Sequence, residues 1–282
     1  MTKINLSVHT DTGDIKETNQ DSVLTLTGVM NKHDVGLFIV ADGCGGLEYG
    51  EVVSKLIVKY FAHVWESELP NLIKPGKVNL NDVNDYLNAL LDDINQKALD
   101  FGEQASSKVG STLSLLLTID KRYIIKNIGD SRIYLKKGKK IVKLTEDQSL
   151  VADMLRNGEI TEDEAKNFNR KNVLTMCIGF YPKLQVYTKL GKIKNKNTFI
   201  LCCDGFHNHI SPDSIMRVLC DKRIEFGDKA YELRRLIEPG KANDNVSSVI
   251  CEFRQNNIFG ISAVALLALA ILFVLWLLKS IA

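Results

Sequence analysis

The stretch 37–50, LFIVADGCGGLEYG, constrains this chain more than any other. Five apolar residues, 37–41, never alternate to polar, and such a run predicts a strand buried on both faces. It ends on Asp42. Gly43, Cys44, Gly45 and Gly46 follow, a backbone that is able to approach a ligand closely and turn sharply. Val53, Leu56, Ile57, Tyr60, Phe61, Val64 and Trp65 then form one apolar stripe at helical period, so a helix follows at once. A carboxylate thus stands at a strand end, beside bare backbone, on a rigid base.

Asp42-Gly43 alone reads as a turn, since Asp-Gly is a strong turn dipeptide. The arrangement recurs, however. TFILCC (198–203) runs into Asp204-Gly205, and NIG (127–129) runs into Asp130. Asp21 stands just ahead of Val23 and Leu24, and Asp244 precedes VSSVI (246–250). Five aspartates at the ends of apolar segments predict one shared polar site in preference to five unrelated turns.

The rest of the chain supplies a β-rich centre with helices outside. Residues 4–8 and 22–27 alternate as strands around a polar loop, 10–20. Asn81 or Asp82 is expected to cap a second helix whose Val83, Tyr86, Leu87, Leu90, Leu91, Ile94 and Ala98 form a stripe. Apolar runs at 113–119, 123–128, 133–135 and 141–143 predict antiparallel hairpins, with LysLysGlyLysLys (136–140) as a solvated tip. Thr161 and Glu164 form a capping box, and Ser211-Pro212-Asp213 opens another helix. A further helix is expected over 228–238, stopping at Pro239-Gly240, and 246–253 reads as the final strand. His207 and His209 lack a third ligand at usable spacing and read as loop residues.

A net charge of +2 gives no global signal for nucleic acid. The six cysteines form no CxxC pair, which argues for reduced thiols and against a disulfide frame or a zinc site. Residues 258–278 are 21 positions without a charge, long enough as a helix to cross a hydrocarbon core of about 30 Å. The expected organisation is a domain over 1–253, a short linker at 254–257, a transmembrane helix at 258–278 and a tail at 279–282. With no export signal at the N-terminus, the domain is expected in the cytoplasm, as a single-pass membrane protein. No GxGxxG, GxxxxGK[ST] or GxSxG occurs.

With these segments in hand, the chain resembles the PPM (PP2C-type) metal-dependent Ser/Thr protein phosphatases over about residues 5–252. The matching stretches are IKETNQDS (15–22), VADGCGG (40–46), GSTLSLLL (110–117), NIGDSRIYL (127–135), LTEDQSL (144–150), LCCDGF (201–206) and NDNVSSVI (243–250). The resemblance implies an α+β, four-layer α-β-β-α sandwich of two antiparallel sheets flanked by helices, to which the C-terminal transmembrane helix is added. It implies hydrolysis of phosphoserine and phosphothreonine in proteins by attack of a water held between two metals. Oxygen ligands suit Mg²⁺ or Mn²⁺. By resemblance Asp42 bridges the two metals, Asp204 and Asp244 hold the first, and the Gly43 carbonyl serves the second. Asp130 with Asp204 matches a weaker third-metal position. The partners implied are phosphorylated proteins, products of a Ser/Thr kinase, and no nucleic acid.

Three departures stand out. The family's phosphate-binding arginine falls on Lys16, which supplies charge to substrate but not a bidentate fork. The metal-linked glutamate is Gln20, which shifts weight to Asp21. Cys44 replaces a histidine proposed as general acid, so solvent is expected to protonate the leaving group. Asp42, Asp204 and Asp244 all remain, which favours an active enzyme. A binding or regulatory module that recognises phosphoproteins without turnover is the competing expectation.

Overall fold

The computed structural model describes residues 2–44, 49–166, 168 and 173–255. The strands are β1 (Thr2–Asp11), β2 (Ser22–Met30), β3 (His33–Ala41), β4 (Leu113–Ile119), β5 (Arg122–Ile128), β6 (Arg132–Lys137), β7 (Lys140–Lys143), β8 (Tyr187–Lys192), β9 (Asn197–Cys202) and β10 (Val246–Gln255). They form two five-stranded antiparallel sheets, ordered β1-β10-β9-β6-β7 and β2-β3-β4-β5-β8. The helices are α1 (Gly50–Ser67), α2 (Leu69–Leu72), α3 (Leu80–Gln104), α4 (Leu150–Arg156), α5 (Glu162–Lys166), α6 (Asp204–His207), α7 (Pro212–Cys220) and α8 (Lys229–Arg234).

β3 shows why its run is apolar throughout. Leu37, Ile39 and Ala41 pack in a cluster with Ile57 and Phe61 of α1 and Leu91 and Ile94 of α3. Phe38 and Val40 instead join a second cluster with Phe199, Ile200 and Phe253 of the other sheet. Between the sheets Phe38 and Phe253 meet edge-on at 6.3 Å, and Phe253 and Phe199 at 5.7 Å. α7 and α8 contribute Ile215, Val218 and Leu233 to that second cluster. The expected two antiparallel sheets with helices outside are what the chain forms.

Several local expectations need correction. The cap of α3 is Asn79, not Asn81 or Asp82: its Oδ1 accepts from Asn81 N at 3.1 Å. The expected helix over 228–238 is shorter. A 3-10 turn (Phe226–Asp228) leads into α8, which ends at Arg234, where the guanidinium turns onto Asp11 and Asp14. β8 was not expected, because its TyrThrLysLeuGlyLys carries two lysines and a glycine; it survives as an edge strand against β5. LysLysGlyLysLys is a hairpin tip, with Gly138 at φ +58° between β6 and β7.

Among the described residues no helix is long and apolar enough to cross a membrane, and the expected span, 258–278, lies outside them.

Candidate metal centre

Strand register brings the five aspartates to one end of the sandwich. Ser22 pairs with Ala41, Leu113 with Ile128, Arg132 and Ser248 with Cys202, and Asp11 with Val246. Asp21, Asp42, Asp130, Asp204 and Asp244 sit just beyond these pairs. A cleft of about 230 Å³ opens there, lined by Asp42, Asp130, Asp204 and Asp244, with Leu174, Phe180 and Tyr181 from the irregular stretch before β8.

Asp42 and Asp130 are held through their backbones. Asp42 N donates to Thr112 Oγ1 at 3.1 Å, and Asp42 O accepts from Thr112 N at 2.8 Å and from Ser111 Oγ at 3.0 Å. Gly43 is pressed between Gln20 and the start of α1: a Cβ there would lie 2.5 Å from Gly50 C and 2.7 Å from Gln20 O. Bare backbone at position 43 therefore has a packing cause. Gly205 is equally confined, since its Cβ would meet Asn245 O at 2.1 Å. Asp130 follows Gly129, at φ +92°, and its carbonyl accepts from His207 Nε2 at 3.1 Å. His207 thus serves as a backbone prop.

The loop 12–20 is tied down by Asn245. Its Nδ2 donates to Thr12 O and Thr18 O at 3.1 and 3.0 Å, and its Oδ1 accepts from Gln20 N at 2.9 Å. The loop delivers Lys16, half-exposed, whose Nζ lies 3.3 Å from Asp244 Oδ1. Gln20 turns away from the cleft and donates to Glu51 of α1 at 3.1 Å.

The electrostatics of this end are those of crowded acid. Asp21 is only 7 % exposed, and neither of its carboxylate oxygens has a hydrogen-bond partner. Burial pushes Asp21 up to about 7, opposed by the neighbouring Ser247 and Cys203 side chains and aided by repulsion from Asp204 and Asp244. Burial and Asp204 push Asp130 up to about 8. Asp42 is raised well above the usual carboxylate range by burial and by Asp21, Asp204 and Asp130, and Asp204 is raised by burial and Asp244. Cys44 is raised by its hydrogen bond with Cys177 and by burial. Carboxylates so placed are held at a cost that a divalent cation offsets directly.

The sequence expectation left out Cys203. Its Sγ groups with carboxylate oxygens of Asp21 and Asp42, all within 4.8 Å of one another. It also accepts from Ser247 N at 3.1 Å and donates to Asn245 O at 3.3 Å, so it braces the loops behind the aspartates. Its position next to Asp204 was visible, but an apolar run gave no reason to single it out.

This architecture has known relatives. The pattern of the protein phosphatase 2C family matches residues 14–238. The chain is 30% identical over 246 residues to the serine/threonine phosphatase stp of Listeria monocytogenes, covering 86% of this chain and 93% of that protein. It superposes on the Streptococcus agalactiae serine/threonine phosphatase with a TM-score of 0.78 at 25% identity, covering 88% of this chain and 99% of the other. The catalytic domain of the phosphatase PstP, solved in complex with two manganese ions, gives a TM-score of 0.73 at 25% identity, covering 90% and 100%. The chain belongs to the protein phosphatase 2C family, metal-dependent protein serine/threonine phosphatases.

Proposed function

We propose that the acidic cleft hydrolyses phosphoserine and phosphothreonine in proteins by attack of water on phosphorus, and that residues 258–278 tether the domain to a membrane. The observation that carries the chemistry is the convergence of five aspartates from separate strand ends, with both oxygens of buried Asp21 unpartnered. This all-carboxylate set fits hard divalent cations, Mg²⁺ or Mn²⁺. Bound there, such ions lower the pKa of water and neutralise phosphoryl oxygens.

The residues divide the work by position. Asp42, Asp204 and Asp244 would hold one such ion, Asp42 with the Gly43 carbonyl a second, and Asp130 with Asp204 a third, weaker one. Asp21, whose carboxylate oxygens group with those of Asp42, would add a further carboxylate to the ions. Lys16 rests on Asp244 and, once that carboxylate is neutralised, is free to turn its ammonium to a phosphate oxygen. With a single point charge in place of a guanidinium fork, Lys16 holds phosphate by attraction more than by geometry.

The tether follows from the 21 uncharged positions. In the proposed arrangement the catalytic domain faces the cytoplasm and opposes a Ser/Thr kinase. Initial rates on phosphothreonine and phosphotyrosine peptides, with the full chain in detergent and Mn²⁺, test the reading. A higher rate on phosphothreonine is expected, and Lys16→Ala should raise KM for that peptide more than it lowers kcat. Equal rates on both peptides would contradict it.

A further inference from the structure

The end of the sandwich opposite the aspartates is built from turns that carry lysine. The β2–β3 turn presents Lys32 and the β4–β5 turn Lys121, both exposed. The β6–β7 tip presents Lys137, Lys139 and Lys140, and the β8–β9 connection Lys192, Lys194 and Lys196, all exposed. Across the first sheet one register row runs Lys136, Thr198, Glu252, Asn5, and Lys3 pairs with Arg254 close beside it. The basic tip and the end of β10 therefore share one face. The acids among these described turns and strand ends are Asp34, Asp120 and Glu252. Asp120 is taken by His33 at 2.7 Å, and Glu252 by Asn5 and Arg254 at 3.1 and 2.5 Å. The helix ends beside these turns add Glu68, Asp82 and Asp221, with Lys74, Lys77 and Arg223, so the basic character of this end lies on its turns and tips while the cleft end is acidic.

We propose that this lysine-bearing end is a docking surface for an anionic lipid bilayer, holding the domain with its cleft turned away from the membrane. The inference rests on the tethered reading above. What selects a bilayer over other polyanions is where the chain goes. Arg254 and the uncharged run 258–278 are separated by residues 255–257, which reach at most about 10 Å even when fully extended. That distance is about one Debye length at physiological salt, so the lysines feel the headgroups of any bilayer the run enters. The nine residues of β3, at about 3.3 Å each, then set the cleft roughly 30 Å from the headgroups. Substrates are phosphorylated segments standing that far off the membrane surface.

The test is lysine acetylation footprinting of the full chain in vesicles of phosphatidylcholine alone or mixed with phosphatidylglycerol, read by mass spectrometry, with alkaline extraction run in parallel. Acetylation of Lys139 and Lys194 is expected to slow about tenfold in the phosphatidylglycerol vesicles only, with Lys55 and Lys241 unchanged. High salt, or the triple variant Lys192→Glu, Lys194→Glu, Lys196→Glu, is expected to abolish protection at Lys139 while the chain still resists extraction. Equal acetylation in both lipids, with the chain resisting extraction, overturns the docking surface and spares the tether. Extraction from both vesicles overturns the tether, and salt-sensitive protection seen alongside it still supports the surface. Protection by a DNA duplex at a salt concentration where phosphatidylglycerol gives none overturns the choice of lipid.

Discussion

Asp21 and Asp130 carry folded-state pKa values of about 7 and about 8, against 3.8 for a free aspartate, first because they are buried and then because other aspartates face them. A group whose folded pKa is raised binds more protons native than unfolded, so its contribution is fully present at low pH and is lost as pH rises through the folded value. Metal-free protein is therefore expected to lose on the order of a few kcal/mol between pH 5 and pH 8. Thermal melts in EDTA should show Tm falling across that range, and Mn²⁺ should remove most of the fall. In Asp21→Asn the same melts should show a shallower decline. A flat metal-free profile in the wild type would contradict the electrostatic reading. The aspartates themselves were legible in the sequence, since each borders an apolar run. Their crowding was not, because it depends on strands far apart in the chain meeting in register.

Arg234 shows how an element is stopped and used. α8 ends there, and the guanidinium spans two segments, with Nε to Asp11 Oδ2 and Nη2 to Asp14 Oδ1, each at 2.8 Å. Asp14 Oδ2 in turn accepts from Ala242 N at 3.0 Å. The loop that carries Lys16 is thus fastened to the approach to Asp244 at one point by Arg234 and at another by Asn245. Arg234→Ala should leave the sheets intact but speed hydrogen exchange over 12–20 by about tenfold or more, and raise KM for phosphopeptide more than it lowers kcat. Unchanged exchange in that loop would show that Asn245 holds it unaided. The helix was expected to run on to Pro239-Gly240 because that pair is the breaker visible in the sequence, whereas a tertiary partner 220 residues away is not visible there. The capping box at Thr161 and Glu164, by contrast, is a local interaction, and both halves form, at 2.8 and 3.3 Å.

At the scale of the whole molecule, the two sheets are one cooperative body because aromatic side chains from both fill the layer between them. Phe38 is fully buried in that layer. Phe38→Ala should cost about 3–5 kcal/mol, and urea melts followed by tryptophan fluorescence and by far-UV circular dichroism should shift together. Separate transitions would mean that the sheets unfold independently. Cover on both faces of β3 was readable from its unbroken apolar run, while the four-layer arrangement came with the family resemblance. The polarity of the sandwich was not, since its lysines are dispersed over turns that only the register gathers. The site at one end and the basic face at the other follow from the same antiparallel pairing.

The most direct test of the metal-centred account is phosphate release from a phosphothreonine peptide by the full chain in detergent, with Mn²⁺, with EDTA, and with Asp204→Asn in Mn²⁺. Turnover that requires Mn²⁺ and falls at least about a hundredfold in Asp204→Asn is the predicted result. Turnover that persists in EDTA, or that survives in Asp204→Asn at the wild-type rate, would contradict the account.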